Sequence, residues 1–138
     1  MASAFFLYGQ FEEVLVYMNS IRSYFVNDDI FNYNYAQAKA ATGYYKEAEE
    51  LFLSIQDVEL RNQNAYCMLL AKSHIHCGHA EQAWNVFVTR DTNAEAFSLL
   101  QMITNECYKC EEFWVAAKAF DMLEKWVCMC SILVTIKM

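Results

Sequence analysis

The feature that most constrains the fold of this chain is a repeat with a period of 34 or 35 residues. Its three glycines stand at positions 9, 43 and 78. Five residues after each glycine comes a small or branched apolar side chain, and nine after comes a larger one, in the pairs Val14/Met18, Ala48/Phe52 and Ala83/Phe87. A fixed period of this length indicates stacked units, each burying its apolar face against its neighbours.

A fourth unit fits the same register one residue short, with Glu111 in the place of the glycine and Ala116 and Phe120 in the apolar columns. Glycine allows a turn between two helices without a Cβ penalty. Alanine lets the helices cross closely, and the aromatic residue one turn further along closes the core between them. Units of this length and pattern are tetratricopeptide repeats, which are helix–turn–helix units.

The composition favours helices throughout. The 138 residues include no proline and only three glycines, whereas a sheet-rich fold uses turn residues about every 8–12 positions. We therefore predict an all-α, right-handed solenoid over residues 1–125, with about three complete helix pairs and a truncated N-terminal one. The predicted units lie near 1–27, 28–60, 61–93 and 94–125.

Counting from each turn predicts helix pairs at 31–42 and 45–55, at 64–77 and 80–88, and at 94–108 and 112–124. Residues 27–29 and 91–93 supply N-cap side chains for two of them. Residues 126–138 read as a divergent, apolar, β-prone tail that is an aggregation hazard unless covered. We expect a fragment or variant of a longer repeat protein.

The net charge indicates which partners to expect, and the cysteines indicate the cellular compartment. The formal net charge is −7, and no basic stripe suits nucleic acid or an anionic membrane surface. The longest apolar stretch, at 126–136, is too short to span a bilayer, so we expect no membrane insertion. Six cysteines without a signal peptide predict reduced thiols in a cytoplasmic protein.

One cluster of histidines and cysteines resembles a metal-binding site. The run His74–His79 contains three histidines and a cysteine, and Cys107 with Cys110 could complete a zinc site. The repeat register argues against it, because His74 and His76 lie on different helix faces, and His74 and Cys107 share a packing column. Cys107 and Cys110 also close a helix, where the dipole opposes a redox-active thiolate. We predict no metal and no cofactor, and a zinc- or thiol-dependent protein is the alternative.

The chain carries no nucleophile elbow, phosphate-binding glycine loop or pair of catalytic carboxylates. We therefore predict no catalytic residues and no enzyme activity. In solenoids of this kind the first helix of each pair lines a concave groove that binds peptides or helices. Counting places six residues on that groove as candidate partner contacts: Tyr33, Gln37, Met68, Lys72, Gln101 and Asn105.

Four stretches carry a more specific resemblance: NYNYAQAKAATG at 32–43, YKEAEELFLSI at 45–55, FSLLQMITNECYK at 97–109 and AKAFDMLE at 117–124. Together they resemble the tetratricopeptide-repeat subunits of intraflagellar transport complex B, over roughly residues 9–124. The resemblance implies a non-enzymatic scaffold that docks on complex B, notably through intraflagellar transport protein 46. It also implies transport of ciliary, motility-related cargo, with the protein in the cytoplasm, the cilium and the ciliary base. An adaptor for another cytosolic assembly is the alternative within the same class.

Overall fold

A computed structural model describes residues 10–91 and 93–137 of the chain. Over these residues the chain forms helices and no strand. A short 3₁₀ turn, Arg22–Tyr24, follows the first helix. The α-helices are α1 Phe11–Ile21, α2 Asp29–Ala41, α3 Tyr45–Ser54, α4 Val58–Asn62, α5 Asn64–His76, α6 Ala80–Val88, α7 Ala94–Lys109 and α8 Phe113–Lys137.

The helices stack as antiparallel pairs. Helices α2 and α3, α5 and α6, and α7 and α8 form the pairs of the second, third and fourth units, and α1 packs on α2. Successive pairs join through α3 against α5 and through α5 against α7. This arrangement confirms the prediction of an all-α solenoid of tetratricopeptide repeats. The truncated first helix predicted for unit one falls at positions 1–8, outside the described residues.

The three complete units turn in the same way. The second residue after the end of α2, α5 and α7 has a positive φ: 87° at Gly43, 82° at Gly78 and 61° at Glu111. The next residue donates its backbone N–H to a carbonyl five residues back, which is the Schellman motif. These bonds measure 2.9, 2.7 and 2.8 Å and join Tyr44 to Lys39, His79 to His74 and Glu112 to Cys107. Glu111 therefore occupies the glycine place, as the register predicts.

The predicted N-caps are confirmed at two helices. Asp28 accepts the backbone N–H of Phe31 at 2.9 Å and begins α2. Asn93 accepts the N–H of Ala96 at 2.9 Å and begins α7. Thr92, between the two candidate caps of the second segment, lies outside the described residues. A third cap, Asp57, starts the one-turn helix α4, which the repeat pattern does not predict.

The apolar columns form the core between the helices. Ala48 and Ala83 are fully buried where helices cross, and Phe52 packs its ring against those of Tyr33 and Tyr66. Phe120 is the exception, since its ring is 54% exposed. The expectation that it closes a core is wrong, because α8 buries its alanine-bearing side against α7 and Phe120 lies off that side.

The expectation of a β-prone tail after residue 125 is also wrong. Helix α8 continues without a break to Lys137, and Met138 lies outside the described residues. No glycine or proline follows residue 124 to stop the helix. Trp126 packs its indole against Phe87 of α6 and Phe97 of α7, at centroid distances of 5.9 Å for both rings. Tertiary packing of this kind outweighs the weak helix propensity of β-branched residues.

Replacing Phe52 with alanine should lower the free energy of unfolding by about 3–5 kcal/mol, because the fully buried ring would leave a cavity. The control is Leu53→Ala on the same helix. Its side chain is 57% exposed, so the change should stay below about 0.5 kcal/mol. Urea unfolding of both variants makes the comparison, and equal losses would contradict the register of α3.

Replacing Glu111 with glycine should raise the free energy of unfolding by about 0.5–1 kcal/mol, since a non-glycine residue at positive φ is strained. The converse variant, Gly78→Ala, should lower it by about 1 kcal/mol. A Cβ at residue 78 would meet no atom within 4 Å, so that loss reports backbone strain alone. Thermal unfolding checks both signs, and a destabilised Glu111→Gly would contradict the shared turn.

Candidate functional site

The histidines of the third unit surround the turn between α5 and α6, where they divide between two buried glutamates. His74 and His79 contact Glu49 of α3, and His76 contacts Glu106 of α7. We call these the Glu49 cluster (Glu49, His74, His79) and the Glu106 cluster (Glu106, His76, Cys110). The sequence prediction that His74 and His76 lie on different helix faces is confirmed.

The Schellman turn explains why His74 and His79 meet. Its backbone bond joins the two residues five positions apart, so their side chains emerge beside each other. In unit two the same positions bring the Lys39 ammonium to 4.9 Å from the ring centroid of Tyr44. In the third unit the two positions hold imidazoles instead, with ring centroids 6.4 Å apart.

Glu49 is an unusual residue for its column. Six positions after the turn residue, the other units carry Leu15, Trp84 and Ala117, whereas here a carboxylate is only 7% exposed. A buried carboxylate needs hydrogen-bonding or charged partners. Its Oε1 accepts a 2.8 Å hydrogen bond from His79 Nδ1 and a further one from His74 Nδ1.

Electrostatics in the Glu49 cluster stabilise the carboxylate form. Burial alone would raise the pKa of Glu49, but the hydrogen bonds and charges of His79 and His74 outweigh it and hold the pKa below its ordinary value. The neighbouring thiol responds in the opposite direction. Burial first, and then the charge and hydrogen bond of Glu49, raise the pKa of Cys77 to about 11.

The Glu106 cluster ties three units together. His76 stacks on Tyr45 of unit two with ring centroids 4.1 Å apart. Its Nε2 lies 2.7 Å from Glu106 Oε2 of unit four, and its Nδ1 lies 3.6 Å from the Cys110 sulfur. Burial raises the pKa of Glu106, but the His76 bond and the nearby lysines outweigh it, so that the pKa lies below its ordinary value.

The zinc alternative of the sequence is not assembled as predicted. Cys110 lies with His76 in the Glu106 cluster, whereas His74 and His79 converge on Glu49. Cys107 is fully buried, and burial followed by nearby carboxylates raises its pKa to about 11. Burial and the charges of Glu106 and Glu112 likewise raise the pKa of Cys110. Thiols with raised pKa values are poor nucleophiles, which disfavours the redox hypothesis.

A solvent-open cleft of about 690 Å³ lies beside the Glu49 cluster. Residues of two successive turns line it, including Gly43, Tyr44, Cys77 and His79, with Glu49 at its wall. His79 is the accessible member of the cluster, since its side chain is 48% exposed. The cleft therefore gives small solutes access to a carboxylate and an imidazole.

The six predicted groove residues lie in different environments. Tyr33 is 8% exposed and belongs to the core, where it stacks on Tyr66. Gln101 and Asn105 are exposed one turn apart on α7. The remaining three are half-buried: Gln37, Met68 and Lys72. Their role as a shared partner-binding groove stays a prediction.

The sequence pattern did not reveal Glu49 as the partner of the histidines, because Glu49 lies on another helix, far from them in the chain. The available signal is a glutamate in a column that holds leucine, tryptophan and alanine in the other units. A second signal is the Schellman spacing, which pairs His74 with His79. Each signal alone is weak, and the structure shows that both point to one place.

The stacked helix pairs and their shared turns make this chain a helical-repeat protein of the tetratricopeptide class. A family model described as intraflagellar transport protein 56 matches residues 1–130. A Caenorhabditis elegans protein named intraflagellar transport protein 56 homolog is 34% identical over 123 residues, covering 89% of this chain and 21% of that protein. The chain therefore belongs to the intraflagellar transport protein 56 family. It spans about a fifth of the length of the curated relative that it matches.

Within the described residues, no helix combines the length and apolar character needed to cross a membrane. Helix α8 is the longest, at 25 residues, and it carries charged side chains along its first half.

The Glu106 cluster gives a pH prediction. Because the folded-state pKa of Glu106 lies below its ordinary value of 4.5, its contribution to stability is present above that pH and is lost as the pH falls through the folded-state value. Glu106→Gln should lower the free energy of unfolding by about 1–2 kcal/mol near pH 7. The gap to the unsubstituted chain should shrink as the pH falls below 4.5.

Urea unfolding at a series of pH values measures this gap, with Glu124→Gln as the control for loss of one negative charge at an exposed position. A gap for Glu106→Gln that stays constant or widens as the pH falls below 4.5 would contradict the assigned direction.

Proposed function

We propose that this chain is a non-enzymatic protein–protein interaction scaffold of intraflagellar transport complex B. It supports cilium assembly and the transport of ciliary, motility-related cargo, and it works in the cytoplasm, at the ciliary base and in the cilium. The observation that carries the proposal is membership in the intraflagellar transport protein 56 family over nearly the whole chain. Intraflagellar transport protein 46 is the partner we assign to it.

The surface of the chain supports a role in binding proteins. Aromatic side chains are exposed near the turn between α7 and α8, where the ring of Tyr108 lies 6.0 Å from that of Phe113 and the side chain of Trp114 is exposed. Exposed aromatic clusters of this kind mark protein interfaces, where aromatic side chains are enriched among the residues that contribute most to binding. The net charge of −7 favours a protein partner with basic or polar character over nucleic acid.

We assign the docking surface to the face of the first helix in each unit. The exposed amides of Gln101 and Asn105 on α7 offer hydrogen bonds to a partner, and Met68 and Lys72 on α5 add partly buried apolar and charged groups. Each pair is spaced four residues apart, which places its members on one side of the helix. Tyr33 supports this face from within the core rather than contacting the partner.

Affinity purification of the chain from ciliated cells, followed by mass spectrometry, tests the proposal. The unsubstituted chain should recover complex B subunits, including intraflagellar transport protein 46. The double variant Gln101→Arg/Asn105→Arg should reduce this recovery by about tenfold, because two bulky cations would occupy the groove. The matched control is Gln82→Arg/Asn85→Arg, which makes the same change at exposed positions on α6.

The outcomes separate the parts of the proposal. Recovery of an unrelated assembly by the unsubstituted chain would replace complex B with the adaptor alternative. Equal recovery by the groove and control variants would show that the partner binds elsewhere on the solenoid. Circular dichroism of both variants verifies that the helices remain intact.

A further inference from the structure

We propose that Glu49, His74 and His79 form a binding site for one divalent transition-metal ion, and that Zn²⁺ is the ion their ligand atoms fit. The carboxylate oxygen of Glu49 and one ring nitrogen of each histidine all lie within 4.8 Å of one another. This ligand set differs from the one the sequence suggests, because it uses Glu49 and neither Cys107 nor Cys110.

The geometry needs little adjustment to accept the ion. Zinc bonds of about 2.0–2.2 Å in a tetrahedral shell place neighbouring ligand atoms roughly 3.3 Å apart. In the structure, His79 Nδ1 lies 2.8 Å from Glu49 Oε1, and His74 Nδ1 contacts the same oxygen. Moving His79 Nδ1 about half an ångström further from Glu49 Oε1, and His74 Nδ1 by more than that, therefore opens room for the ion.

The three ligands are held in place by the fold. Glu49 follows the fully buried Ala48 on α3, so its carboxylate is fixed by the helix crossing. His74 and His79 are fixed by the Schellman turn and its 2.7 Å backbone bond. Side chains that converge before the ion arrives lose little conformational entropy on binding it.

The chemistry of the ligands selects the kind of metal. Two imidazole nitrogens with one carboxylate oxygen suit Zn²⁺ and its neighbours in the first transition row. Magnesium and calcium prefer oxygen ligands throughout, and we expect neither to bind here. Each histidine binds the ion as a neutral imidazole, so when Nδ1 takes the ion its proton is replaced by one at Nε2, through exchange with solvent.

The site is accessible from solvent. His79 and Glu49 both line the turn cleft of about 690 Å³, and the His79 side chain is 48% exposed. An ion can therefore reach the ligands without unfolding of the repeat. Solvent from the cleft would supply the fourth ligand of a tetrahedral shell.

Isothermal titration of the metal-free chain with zinc chloride, under reducing conditions, tests the proposal. One zinc ion should bind each chain, and magnesium chloride should produce no binding. His79→Ala should weaken zinc binding by about tenfold or more. This variant should fold normally, because His79 is exposed and its side chain caps no helix. Glu49→Gln should weaken binding similarly while preserving the shape of the side chain.

His76→Ala is the matched control. This substitution removes an imidazole from the same end of the helix, but that imidazole contacts Glu106 instead of Glu49. Its zinc affinity should stay within about threefold of the unsubstituted chain. Cobalt substitution adds a spectroscopic readout, since intense visible bands indicate tetrahedral coordination and His79→Ala should abolish them.

Two results would overturn the proposal. The first is the absence of stoichiometric zinc binding by the folded chain. The second is zinc binding that persists undiminished in both Glu49→Gln and His79→Ala, which would assign the ion to cysteine thiols elsewhere. Far-UV circular dichroism of each variant excludes loss of the fold as the reason for weaker binding.

Discussion

The left-handed turn between paired helices is the constraint on which the rest of the structure depends. A positive φ at Gly43, Gly78 and Glu111 allows a second hydrogen bond to close each turn, and so sets where the next helix begins. The alanine and phenylalanine columns of units two and three then meet at fixed distances from the turn. The same bond places the residues on either side of the turn next to each other, which creates the clusters at the helix junctions.

Local signals explain why the helix pairs were predictable from the sequence. The turn residue, the N-cap and the apolar column each act within about one helix. Spacing alone therefore located the paired helices to within two residues, except at the end of α8. The prediction for residues 126–138 was wrong because it considered only local signals. The conformation of the residues after 125 depends on Trp126, which packs between Phe87 and Phe97. Local propensity cannot predict such a contact between units.

The candidate site was predictable only in part. The register correctly separated His74 from His76, because helix geometry fixes the faces on which they lie. It did not reveal which carboxylate each would meet, since Glu49 and Glu106 come from the preceding and following units. A repeat pattern identifies columns of equivalent residues, whereas the pairing between columns depends on how successive units pack.

The two proposals rest on different parts of the solenoid. The scaffold function depends on family membership and on the exposed faces of the first helices, because a repeat fold by itself does not specify a partner. The metal site depends on a junction between α3 and the end of α5, where a buried carboxylate replaces an apolar packing contact. In a solenoid such a junction contributes mainly to the interface between two neighbouring units. A metal ion there would stabilise units two and three against each other, while the amides of Gln101 and Asn105 on α7 remain available to a partner.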